Sequence, residues 1–91
     1  MLFMYIHTHS VDKCLADKPQ EMNVIRTKVQ EEAKKAGVKT IGIYVAAHEH
    51  TIFGIFETDD VVALERVLTP LTTWGNARLI PVATAEQLAT R

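Results

Sequence analysis

The stretch VKTIGIYVAAHEHTIFGIFET, residues 38–58, decides how the rest of the chain can fold. Its two halves, residues 38–47 and 51–58, are rich in β-branched and aromatic side chains, which predicts two strands. Only the segment HEH separates them, so we expect an antiparallel hairpin with histidines at its tip. The segments on either side must then pack around this hairpin.

The segments before the hairpin predict one strand and one helix. LFMYIHT, residues 2–8, has the aromatic and branched composition of a strand. After Pro19, which suits the first turn of a helix, apolar residues recur at spacings of three and four. This apolar stripe consists of Met22, Ile25, Val29, Ala33 and Ala36. Gly37 provides the stop for the helix.

The segments after the hairpin predict a second helix and a fourth strand. Thr58, Asp59 and Asp60 supply an N-cap and a negative first turn for a helix that ends near Pro70. Its apolar stripe consists of Val61, Leu64, Val67, Leu68 and Leu71. The sequence ARLIPV, residues 77–82, has the composition of a strand.

Length and composition limit the classes of protein that fit. A chain of 91 residues makes one domain, residues 1–91. The net charge is −1 and no basic run occurs, which argues against nucleic acid as a partner. No run approaches the roughly 20 apolar residues that cross a bilayer, so no membrane partner is expected either. Cys14 is the single cysteine, which excludes an internal disulfide and favours a reducing, cytoplasmic location.

The order β-α-β-β-α-β predicts an α+β fold of the ferredoxin-like type. With right-handed crossovers, it gives a four-stranded antiparallel sheet with two helices on one face. In length and element order the chain resembles the small dimeric α+β-barrel proteins, which include muconolactone-isomerase-like, antibiotic-monooxygenase-like and uncharacterised bacterial members. The resemblance implies a homodimer, or a higher oligomer, whose sheets face each other. It rests on architecture, so it transfers no catalytic residue.

All four histidines fall in two H-x-H pairs, HTHS at residues 7–10 and HEHT at residues 48–51. In the predicted topology, the third strand lies between the first and the second and is antiparallel to both. The end of the first strand therefore meets the hairpin tip at one rim of the sheet. The loop with Cys14 and the turn with Trp74 leave from the same rim. The topology thus predicts that both histidine pairs share one neighbourhood.

A transition metal is the leading explanation for this neighbourhood. Residues i and i+2 of a strand point to one face about 6.5–7 Å apart, so two imidazoles can converge on one ion. The predicted ligands are His7, His9, Cys14, His48 and His50. Imidazoles suit zinc, copper, nickel or iron, and a thiolate shifts the preference towards zinc or copper(I). The simplest site uses His7, His9 and one histidine of the hairpin, because the pattern does not say which one faces them.

The faces of the strands raise a difficulty for this site. If Ile52 and Phe56 face the helices, an unbroken third strand aims His48 and His50 to the same side. His7 and His9 would instead share the open face of the sheet with Phe3 and Tyr5. A kink or bulge within residues 47–51 is then needed to bring all the histidines together.

Aromatic residues near the sheet leave other functions open. Tyr5 and Tyr44 are predicted on one face with Thr40, Gly42 and Ala46. They would line a cavity for an aromatic or acyl ligand, or would pack in the dimer interface. Trp74 is either a packing anchor or a platform for a small-molecule ligand.

Two alternatives to metal binding follow from these residues. The first is a metal-free enzyme, isomerase or monooxygenase-like, in which His7 or His9 transfers protons to or from a small hydrophobic or aromatic substrate. The second is a ligand-binding or regulatory accessory module. Independently of these alternatives, the histidines are structural or incidental if no site exists, and Cys14 is then an inert or a nucleophilic thiol.

Overall fold

The computed structural model describes residues 1–90, so Arg91, the last residue of the predicted domain, lies outside the description. The elements are β1 (Leu2–Thr8), α1 (Pro19–Lys35), β2 (Lys39–Ala46), β3 (Thr51–Glu57), α2 (Val61–Thr72), β4 (Asn76–Val82) and α3 (Ala85–Ala89). Single 3-10 turns at Val11–Lys13 and Ala47–Glu49 follow β1 and β2. The predicted α+β, ferredoxin-like order is confirmed. No helix within residues 1–90 combines the length and the apolar composition that a membrane crossing requires.

The sheet has the order β2-β3-β1-β4, and every neighbouring pair is antiparallel. The prediction that β3 lies between β1 and β2 is confirmed. Thr51 of β3 pairs with Thr8 at the end of β1 and with Ala46 at the end of β2. The end of β1 and the tip of the β2–β3 hairpin, which are distant in sequence, therefore meet at one rim of the sheet.

The core lies between the sheet and the apolar stripes of α1 and α2. Ala33 of α1 and Leu64 of α2 are completely buried, and both belong to one cluster with Phe3 and Phe56 of the sheet. The side chain of Asp60 caps α2 by accepting a hydrogen bond from the backbone N–H of Ala63, as its position predicted. Burial of these apolar stripes, far more than helix propensity, holds the two helices on the sheet.

Helix α2 extends two residues beyond the predicted end near Pro70, to Thr72. A proline inside a helix removes one backbone hydrogen bond, so the sequence favoured a stop. Leu71, which follows Pro70, is buried in the core cluster. Packing of Leu71 accounts for the last turn despite the missing bond.

The prediction that Phe3, Tyr5 and His7 lie on the open face of the sheet was wrong. All three are buried, and Phe3 and Tyr5 belong to the core cluster under the helices. The register shows why, because Phe3 pairs with Phe56, which faces the helices. Cross-strand partners point to the same face of a sheet. Leu2, Met4 and Ile6 have the same spacing and are equally apolar, so alternation within β1 does not distinguish the two faces.

The shared face predicted for Tyr5 and Tyr44 was also wrong. Tyr5 is 2% exposed under the helices, whereas Tyr44 is 56% exposed on the opposite face. An irregularity between Thr40 and Gly42 shifts the register of β2, so Thr40 lies on the helix side while Gly42 and Tyr44 lie on the open side.

Candidate metal centre

The hairpin tip places His50 beside His9. A 3-10 turn, Ala47–Glu49, interrupts the chain between β2 and β3, and His50 follows it in the left-handed conformation with φ 50° and ψ 42°. The backbone N–H of His9 donates a 3.1 Å hydrogen bond to the carbonyl of His50. The imidazole rings of His9 and His50 lie 5.9 Å apart. The predicted kink within residues 47–51 is therefore present, and it brings one histidine of each pair together, His9 and His50.

The loop after β1 brings Cys14 to the same place. A single 3-10 turn, Val11–Lys13, folds this loop back, and the N–H of Cys14 donates to the carbonyl of Val11 at 3.2 Å. His9, Cys14 and His50 each offer one ligand atom, and these atoms all lie within 4.8 Å of one another. This triad is the one group of three or more His, Cys, Asp or Glu side chains with such spacing in residues 1–90.

The spacing of the triad suits a small cation. Three atoms at the corners of a 4.8 Å triangle lie about 2.8 Å from its centre, whereas zinc binds nitrogen at about 2.0–2.1 Å and sulfur at about 2.3 Å. Side-chain movements of about 0.5–0.8 Å would close that gap. Such movements need only small torsions, because each ligand comes from the end of an element or from a loop.

Trp74 covers the histidines from the α2–β4 turn. Its ring is stacked on His7 and on His9, with centroid separations of 5.1 and 5.0 Å and interplanar angles of 20°. The rings of His7 and His9 are 5.4 Å apart, and Tyr5 extends the series at 6.2 Å from His7. The turn thus places an aromatic wall against one side of the site, which restricts the rotamers of both imidazoles.

Gly75 makes this close packing possible, although no pattern in the sequence marks it as part of the site. A Cβ at this position would collide with the carbonyl oxygen of Thr8 and would lie 2.8 Å from Nε2 of His7. The sequence shows only a glycine directly after the single tryptophan. A residue without a side chain is needed wherever one backbone approaches another this closely.

Burial lowers the pKa values of His7 and His9, which favours their neutral forms. Burial above all, and then the neighbouring His9, lower the pKa of His7. Burial and then His50 lower the pKa of His9. The nearby Leu71 backbone acts in the opposite direction and raises the pKa of His7. This contact does not meet the geometry of a hydrogen bond, so both ring nitrogens of His7 lack a partner. Neutral imidazoles have a free lone pair, which is the form that binds metals.

Several ring nitrogens of the site have no hydrogen-bond partner among residues 1–90. They are both nitrogens of His7, both of His9 and Nδ1 of His50. A buried polar atom without a partner costs about 1–3 kcal/mol, so such groups are rare in native proteins. A bound ion would satisfy one nitrogen on each of the two histidines of the triad.

The structure separates the predicted ligands into two sets. His9, Cys14 and His50 come together, whereas His7 and His48 do not belong to the triad. His7 is fully buried behind His9, and His48 is exposed on the 3-10 turn. The left-handed residue ends the turn and reverses the chain, so the two histidines of the second pair have different environments.

A cleft of about 520 Å³ opens next to the triad at the same rim. It is lined by Thr8, His9, Ser10, Lys13, Thr73, Trp74, Gly75 and Asn76. His9 is shared between the cleft and the triad. Any ion at the triad would therefore lie beside a space that is open to small molecules.

Comparisons with known proteins agree with the fold. A family model described as "Domain of unknown function (DUF3303)" matches residues 1–90. The crystal structure of SCO4226 from Streptomyces coelicolor A3(2) is similar, with a TM-score of 0.64, 15% identity, and coverage of 92% of this chain and 100% of that chain. Protein Atu4242 from Agrobacterium tumefaciens gives a TM-score of 0.55 at 10% identity, over 93% and 96% of the two chains. At these identities the similarity shows the fold alone. No curated protein matches the chain.

Proposed function

This chain belongs to the DUF3303 family, and we propose that it binds one transition-metal ion through His9, Cys14 and His50. The observation that carries the proposal is the convergence of three ligand atoms within 4.8 Å, two from the end of β1 and the loop after it and one from the distant hairpin tip. Two imidazoles and one thiolate form a donor set typical of zinc and copper(I), and they also accept nickel or iron.

The surroundings of the triad support this assignment. Burial and the neighbouring His50 lower the pKa of His9, which reduces competition from a proton for its lone pair at neutral pH. Trp74 limits the rotamers of His9, which reduces the entropy lost when the ring binds an ion. Because a thiolate ligand requires a reduced cysteine, a cytoplasmic location fits the same proposal.

The open face of the sheet supports a homodimer. Met4 of β1 pairs with Ile55 on one side and Ile80 on the other, and Ile6 pairs with Phe53. These side chains point away from the helices and form an apolar surface with the exposed Tyr44. A continuous apolar face of this kind is commonly covered by another molecule. A second copy of the chain would cover it sheet to sheet.

Tag-free, metal-depleted protein titrated with Zn²⁺ tests the metal site. We expect a stoichiometry of one ion per chain and a rise in the unfolding temperature. His9→Ala, Cys14→Ser and His50→Asn should each weaken binding by at least about a hundredfold, because two protein ligands bind zinc much less tightly than three. His48→Ala is the matched control, since it removes the exposed histidine from the same turn. It should bind Zn²⁺ as the unchanged protein does.

The single tryptophan offers an independent readout. Trp74 is stacked on His9 at 5.0 Å, so Cu²⁺ or Ni²⁺ at the triad should quench its fluorescence. His9→Ala should abolish that quenching. The proposed site would be contradicted if His9→Ala and His50→Asn bound Zn²⁺, copper or nickel as tightly as the unchanged protein does. Protein that gains neither ions nor thermal stability would favour the metal-free ligand-binding module instead.

A further inference from the structure

The cleft beside the triad has the polarity of a binding site for an anion. Lys13 is its charged lining residue, and its eight lining residues include no Asp or Glu. Ser10, Thr73 and Asn76 add neutral hydrogen-bonding groups. A divalent ion bound by one thiolate keeps one positive charge, so the ion and Lys13 together would attract negative charge.

The triad leaves a metal with an incomplete shell. Zinc and cobalt(II) in such sites are tetrahedral, and a site with three protein ligands keeps a fourth position for water or substrate. No fourth His, Cys, Asp or Glu joins the triad within residues 1–90. His9 belongs both to the triad and to the cleft wall, so the cleft adjoins the triad at His9.

We propose that this cleft binds a small organic carboxylate, one oxygen of which occupies the fourth position on the metal. The inference rests on the proposed metal site. The second carboxylate oxygen would accept a hydrogen bond from Lys13, and Trp74 would contact a planar organic body. A single lysine balances a monoanion better than a phosphate dianion, which proteins usually bind with several cationic groups or backbone N–H groups. The volume of about 520 Å³ accommodates a molecule the size of an aromatic acid.

Cobalt(II)-substituted protein, titrated with benzoate in a buffer free of carboxylates, tests this inference. The visible bands of cobalt(II) report its coordination, so binding at the fourth position changes the spectrum directly. We expect saturable changes with benzoate, weaker binding of acetate, and no benzoate binding to the metal-free protein. Lys13→Gln should weaken benzoate binding about tenfold, because it removes a charge-assisted hydrogen bond. Its affinity for cobalt(II) should stay within about twofold, since Lys13 is not a ligand.

Lys18→Gln is the matched control, because Lys18 is also exposed and precedes α1 but does not line the cleft. It should bind benzoate as the unchanged protein does. If cobalt(II) does not bind, the proposed function itself fails. If cobalt(II) binds but benzoate leaves the spectrum unchanged, or Lys13→Gln and Lys18→Gln behave alike, the carboxylate site is overturned. A spectral response to inorganic phosphate and none to benzoate would also overturn it.

Discussion

His50 is the residue in which structure and chemistry are most closely linked. It is the one non-glycine residue of residues 1–90 with positive φ, at 50°. A left-handed conformation costs an ordinary residue about 1–2 kcal/mol, so it persists only where the surroundings enforce it. Here it ends the 3-10 turn and directs His50 towards His9, while His48 stays exposed. The backbone strain therefore coincides with a proposed metal ligand.

The buried histidines make the metal-free protein sensitive to acid. Burial, with a contribution from His9, lowers the pKa of His7 below its ordinary value of 6.5. The unfolded chain takes up a proton near pH 6.5, whereas the folded chain resists protonation until a lower pH. The contribution of His7 to the free energy of unfolding is therefore complete above pH 6.5. It decreases as the pH falls towards the lowered pKa of the folded state.

We predict that the urea midpoint of metal-free protein decreases as the pH falls below about 6.5. His7→Leu should reduce this dependence, because it removes the fully buried ring. His48→Gln, which changes an exposed histidine, should retain it. An unchanged slope in His7→Leu would show that His7 is not responsible.

At the scale of elements, the α2–β4 turn acts as a support for the site. It carries Trp74, which is stacked on His7 and His9, and Gly75, which lies against Thr8 and the ring of His7. Neither residue is predicted to bind the ion. Their packing holds the end of β1 in the orientation that the triad requires.

We predict that Gly75→Ala destabilises the protein by about 1–3 kcal/mol. The added Cβ would collide with the Thr8 carbonyl and with the ring of His7, which is fully buried and cannot move aside. Urea unfolding measures the loss. Metal affinity should fall as well, since any shift of Trp74 displaces His9. Thr73→Ala, in the same turn, is the control and should cost at most about 1 kcal/mol for its hydrogen bond to Pro70. Equal stability of Gly75→Ala and the unchanged protein would show that the packing at this turn is loose.

At the scale of the whole molecule, the two faces of the sheet have different roles. One face packs under α1 and α2, and the other presents Met4, Ile6, Phe53 and Ile55 away from the helices. A chain of this size buries a limited core, so an apolar surface of this extent favours association. The proposed metal centre lies at one rim of the same sheet.

We predict that Ile55→Lys converts a dimer into a folded monomer. Ile55 pairs with Met4 and Gly42, so a lysine there puts a charge in the middle of the open face. Sedimentation equilibrium should show the mass of one chain for this variant and of two for the unchanged protein, with the same circular dichroism. Val24→Lys, at a residue of α1 that is 66% exposed, is the control and should stay dimeric. A monomeric unchanged protein would refute the predicted homodimer.

Sequence patterns determined the order of the elements, the position of β3 between β1 and β2, and the meeting of the end of β1 with the hairpin tip. These features follow from local periodicity, from the short hairpin and from the handedness of crossovers. Each can be derived from neighbouring residues and a general rule. The 5.9 Å separation of the His9 and His50 rings agrees with the predicted meeting of these two segments.

Only the tertiary structure decided which face of β1 is buried, which histidine of the hairpin joins the site, and that Cys14 completes the triad. Alternation shows that successive residues of a strand face opposite sides of the sheet, but it does not show which side is buried. In β1 the buried side is set by the register with β3, in which Phe3 pairs with Phe56. The choice of His50 depends on one left-handed residue, and that of Cys14 on a loop turn. Such features are set by contacts between distant segments, which a local pattern does not contain.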